Sequence, residues 1–183
     1  MDYRINRLSP YGESKQYHLF GQDDRLLLVA DHNSPWLTGL PGSHVRFGRA
    51  TGDVVASMDL KVPMRTKNGR QHTAYAIVKD HAVFAIINKH VIPERTPYYV
   101  VEVDGILWLA LSSNDEPKHY AIYNEVPSDL LVYDEPSQSD LPNPIGSIYH
   151  DIGDYDYQIV MPPTRPQNPA LVALSLTFLI DLE

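Results

Sequence analysis

The chain predicts a mainly β fold: a closed antiparallel barrel of about twelve strands, arranged as six hairpins, around a hydrophobic C-terminal central helix. Three observations carry this expectation. Residues 170–180, within a helix expected over 169–182, are apolar on every side of a helical wheel, interrupted only by Ser175 and Thr177. Nearly everything before them reads as short strands separated by turn residues. The lengths also match: a helix of about 13 residues is about 20 Å long, and strands of about seven residues tilted near 40° make a wall of similar height.

Taken in chain order, residues 1–15 form a polar lead-in and strands occupy 16–161. Residues 16–20 and 25–31 flank Gly21-Gln22-Asp23-Asp24 as the first hairpin. Residues 43–49 and 53–61 flank Thr51-Gly52 as the second, with Val54, Ala56, Met58 and Leu60 sharing one face at period two. The third joins 72–79 to 81–88 through Lys79-Asp80, and its Ala74, Ala76 and Ala85 read as small inward side chains that leave room for a bulky centre. Residues 97–103 and 106–111 enclose Asp104-Gly105, a type I′ signal because both positions tolerate positive φ. Residues 118–124 and 130–133 straddle Val126-Pro127-Ser128-Asp129 as the fifth hairpin; 145–150 and 155–160 surround Ile152-Gly153-Asp154 as the sixth.

Pro162-Pro163 ends strand structure, and Asn168-Pro169 opens the helix. An Asn side chain accepts from free first-turn amides, while Pro at the first position has the required φ and no donor to strand. Ser175 and Thr177 are expected to bond back to the helix's own carbonyls. Asp181 sits where the macrodipole favours cations. If enclosed, it is expected to meet a strand-borne Arg or Lys, or loop amides.

The 183 residues, 43% of them hydrophobic, suit one domain covering 1–183. Apolar residues 170–180 are too few to cross a bilayer, which takes about 20. With no basic, apolar and small-residue leader at the start, a cytoplasmic setting is expected. The absence of Cys excludes disulfides, thiolate nucleophiles and Cys-ligated zinc. The net charge of −8 is lopsided: residues 1–100 carry 13 Lys and Arg against 9 Asp and Glu, and residues 101–183 carry 2 against 14. That acidic half repels phosphates, so no nucleic-acid partner is expected.

The closing Pro169-Ala170-Leu171-Val172-Ala173-Leu174-Ser175-Leu176-Thr177-Phe178-Leu179-Ile180-Asp181 is similar to the small-and-aliphatic terminal helix of the LURP-one-related and phospholipid scramblase branches of the tubby C-terminal-like superfamily. Phe47-Gly48-Arg49-Ala50-Thr51-Gly52-Asp53-Val54-Val55 resembles an early hairpin of the same group. The resemblance implies a twelve-stranded barrel threaded by the helix and a non-enzymatic domain. It also implies phosphoinositide headgroups bound to basic wall side chains. A Pro-rich, Cys-rich scramblase segment is missing, so scramblase-type lipidation is not implied.

The residues point the same way. Lys61, Arg65, Lys67 and Arg70 lie in a stretch without an acid that contains the turn pair Asn68-Gly69. Arg and Lys beside a Gly turn hold phosphates by charge-assisted hydrogen bonds. Arg46 and Arg49, on the preceding hairpin, join the expected headgroup site; the other reading of the basic stretch is a solvated loop that keeps the protein soluble. The partner is therefore an anionic phospholipid or membrane surface, or a protein met on the outer wall. A lipocalin-like carrier with an apolar guest in its lumen is the alternative, and a His- or Asp-dependent enzyme the third. His72, His81 and His90 do not have a metal-ligand spacing, and Asp151, Asp154 and Asp156 lack the long loop and terminal Glu of a strong calcium site. No Gly-x-Ser-x-Gly elbow or phosphate-cradling glycine loop occurs, so no catalytic residue, metal or cofactor is expected.

Overall fold

The computed structural model describes residues 1–8, 15–32, 44–60, 64–65, 71–91, 96–113, 116–127, 141–152, 155–162 and 168–182. The strands are β1 (Asp2–Leu8), β2 (Lys15–Phe20), β3 (Leu26–His32), β4 (His44–Gly48), β5 (Val54–Leu60), β6 (Met64–Arg65), β7 (Gln71–Lys79), β8 (Ala82–Val91), β9 (Tyr98–Val103), β10 (Ile106–Ser113), β11 (Glu116–Tyr123), β12 (Gly146–Ile152) and β13 (Tyr155–Val160). A single helix among the described residues, α1 (Pro169–Asp181), follows them.

Apart from β5 and β6, which both pair with β7, consecutive strands pair antiparallel, and β1 pairs with β13. Those contacts close the sheet into a twelve-stranded ring, since the two-residue β6 only prolongs β5 along β7. Among the described residues, closure gives each of the twelve longer strands a partner on both sides, which removes the edges that would recruit another chain. At the β1–β13 seam the Met161 amide donates to the Met1 carbonyl at 2.8 Å, and the Met1 ammonium donates to the Met161 carbonyl at 2.9 Å.

Inside the ring stands α1. Every residue from Leu171 to Asp181 is buried, which is why its sequence carries no polar stripe. The helix fills the lumen that a lipocalin-like carrier would keep open. The wall meets it with period-two side chains: Ala56 and Met58 of β5 point in, as expected, whereas Val54 at the rim is 64% exposed. Of the three expected small inward residues, only Ala85 belongs to this core, opposite Ile77; Ala76 lies opposite Ile86 on the other face, and Ala74 shares its parity. Room for the helix comes instead from Ala30, Ala56, Ala85 and Ala110 on four different strands.

Two departures concern strand count. The expected lead-in contains β1, whose Tyr3 and Ile5 are buried while the intervening Arg4 faces outward to the Gly21 carbonyl. Charged outer residues hid a strand that is half polar because one face meets water. The expected partner of β11 at 130–133 lies outside the described residues, and β11 pairs with β12 on that side. A smaller apolar cluster sits on the outer wall, where Val126 and Leu141 cover Tyr98, Val100, Leu109 and Tyr123.

Because the ring is an up-and-down meander, alternate connections share an end. The β2–β3, β4–β5, β7–β8 and β9–β10 turns lie at the end where α1 enters. Arg7, Tyr17 and Tyr157 lie at the end where it finishes.

Candidate functional site

Three turns at the entry end each fix a cation. Between β2 and β3, the Gly21 amide donates to the Arg25 carbonyl at 3.0 Å and the Asp24 amide to the Gly21 carbonyl at 3.2 Å, with Asp24 at φ 57°. Between β4 and β5, the Arg49 amide donates to the Asp53 carbonyl and the Gly52 amide to the Arg49 carbonyl, both at 2.9 Å, with Gly52 at φ 89°. Between β7 and β8, Asp80 and His81 take φ 49° and 64°, the left-handed pair of a tight hairpin, immediately after Lys79.

Arg25, Arg49 and Lys79 thereby line one open cleft of about 1010 Å³ whose floor includes Leu27, Val55 and Ala170. Asp53 and Asp80 line it too, leaving the cations one ahead. Thr51 Oγ1 donates to Asp53 Oδ2 at 2.8 Å. Among the described residues no carboxylate lies within ion-pair distance of Arg25, Arg49 or Lys79. The start of α1 adds to the positive field. Asn168 does not cap the helix with its side chain, contrary to expectation; its carbonyl accepts from the Leu171 and Val172 amides at 3.1 and 3.4 Å. No acid occupies the first turn.

Of the sequence-predicted headgroup residues, Arg49 belongs to this cleft. Arg46 stands exposed on the outer face of β4, across from Asp31 and Ser57. Arg65 is in β6, beyond the far end of β5 from Arg49, and the seven residues of β5 span about 23 Å. Lys61, Lys67 and Arg70 lie outside the described residues. Arg49 therefore converges with Arg25 and Lys79 instead of with Arg65. The missed signal was parity: each of the three adjoins a turn, and alternate turns of a meander share an end.

The histidine trio is likewise dispersed. His72 and His90 are register partners on β7 and β8, but His81 occupies the entry-end turn. Among the described residues no three His, Asp or Glu are placed to hold a metal. Of the Asp151, Asp154 and Asp156 set, Asp154 is outside the described residues, and Asp156 accepts the Arg7 amide.

At the exit end a polar knot closes the core. Asp181 accepts from Tyr17 at 2.7 Å and Tyr157 at 2.6 Å, besides Arg7. This meets the expectation of a strand-borne partner. Burial works to raise the Asp181 pKa, and the three sets of hydrogen bonds outweigh it, holding the carboxyl below its usual range. The same burial, with the bonds to Asp181, pushes both tyrosines far up.

Comparison with protein-family models, curated proteins and solved structures finds no match for this chain.

Proposed function

We propose that this chain is a non-enzymatic, tubby-like binding domain that takes an anionic headgroup at the entry-end cleft, with the cytoplasm as its setting. The observation that supports this reading is the convergence of Arg25, Arg49 and Lys79 on one cleft without carboxylate partners among the described residues. Guanidinium groups bind phosphate or carboxylate through paired, charge-assisted hydrogen bonds. Besides the three cations, the polar side chains lining the cleft are Thr51, Asp53, Asp80 and Asn168, and Thr51 is engaged with Asp53. Binding is the chemistry the lining favours.

Calorimetric titration with inorganic phosphate and with a soluble inositol phosphate tests the proposal. Saturable binding that weakens with added salt and is lost in Arg25→Glu/Arg49→Glu supports it. Titrations without heat, or unchanged by the double reversal, reject it.

A further inference from the structure

The cleft is amphiphilic, and its surroundings are acidic. Leu26, Leu27, Val54 and Val55 line it together with the three cations, and Val54 leaves 64% of its surface in water. An exposed valine at a turn is ordinary by itself. Here it continues an apolar strip between cations on neighbouring hairpins, where a bound anion would lay any chain it carries. The same end also presents exposed Asp23, Asp104 and Glu125. A flat anionic bilayer laid across that end would press these carboxylates against its own phosphates, a repulsion that one molecule entering the cleft avoids.

We infer that the ligand is a single-chain amphiphile, one phosphate or carboxylate on one alkyl chain, taken as a monomer and not as part of a bilayer. The inference rests on the anion-binding reading above and adds the chain. The anionic group meets Arg25, Arg49 and Lys79; the first methylenes cover Val54 and the leucine strip. Monomer capture leaves the helix-filled lumen untouched.

Dodecyl phosphate below its micellar concentration, inorganic phosphate, and phosphatidylcholine vesicles with and without phosphatidic acid are the probes. Expected is dodecyl phosphate binding about tenfold or more tighter than inorganic phosphate, the gain from burying about two methylenes. Val54→Ser, a neutral change at an exposed position, removes that gain and keeps phosphate binding, while Arg49→Glu weakens both. Equal affinity for the two soluble phosphates overturns the chain and leaves the anion reading standing. Stronger capture by phosphatidic acid vesicles than by the monomer overturns it in favour of a bilayer. Dodecyl phosphate binding indifferent to Arg49→Glu reduces it to apolar adsorption, and no binding of either soluble phosphate removes both readings.

Discussion

Arg7 Nη1, near the end of β1, lies 3.0 Å from both carboxylate oxygens of Asp181, the last residue of α1. The pair ties the first strand to the final helix across 174 residues of sequence. It also resolves a local conflict, since an acid at a helix C-terminus opposes the macrodipole unless a cation answers it.

Asp181→Ala leaves the Tyr17 and Tyr157 hydroxyls and the Arg7 guanidinium without their acceptor. Removing one partner of a buried pair costs about 3–5 kcal/mol, and the lower end applies because 36% of the Arg7 side chain stays in water. Urea unfolding should show the unfolding free energy fall by that amount, and Arg7→Lys should lose less than Asp181→Ala, because it keeps a cation where one guanidinium nitrogen meets both oxygens.

The knot also sets the pH response. Asp181 is a weaker base folded than unfolded, so its contribution is complete above the unfolded carboxylate value near 4 and fades as pH falls through the lower folded value. Tyr17 and Tyr157 act at the other limit: raised when folded, they cost stability as pH climbs past the unfolded tyrosine value near 10. Stability measured against pH should lose part of its acid limb in Asp181→Asn. Tyrosinate absorbance should show buried tyrosines ionising only with unfolding.

Thr177 Oγ1 is buried without a hydrogen-bond partner among the described residues, whereas Ser175 Oγ donates to the Leu171 carbonyl at 2.8 Å. The two hydroxyls, expected to behave alike, differ in sign. Thr177→Val should raise stability by about 1 kcal/mol, and Ser175→Ala should not, since only the first removes an unsatisfied group. Thermal unfolding of the two variants decides it.

Gly146 opens β12 where a Cβ would overlap the Val160 carbonyl oxygen of β13. Gly146→Ala should therefore cost about 1–3 kcal/mol through strand displacement. At Gly48 the nearest atom to a new Cβ is the Asp53 carbonyl oxygen at an ordinary 3.4 Å, so Gly48→Ala should be tolerated. Melting temperatures of the pair report the contrast.

In the cleft, Arg49→Ala should weaken phosphate binding about tenfold, the loss expected for a hydrogen bond to a charged group. Arg65→Ala, beyond the opposite end of β5, should leave it unchanged. Calorimetry on both variants separates the entry-end site from the basic stretch around Arg65.

Five of the six expected hairpins were legible because turn chemistry is local: Asp104 and Gly105 adopt φ 50° and 73°, the backbone that dipeptide favours. The helix was legible because a sequence without a polar side has to be enclosed. β1 was not, since its charged outer face masked the burial of Tyr3 and Ile5. The candidate site was legible only at Arg49. Arg25 and Lys79 join it through the closed meander, which brings turns of the same parity to one rim.

Periodicity and turn residues, which depend on neighbours within a few positions, determined that hairpins would enclose an apolar helix. Which cations share a cleft, which alanines admit the helix and which arginine receives Asp181 were decided by ring closure. Those contacts join residues far apart in the chain, and no local pattern encodes a distance across a barrel.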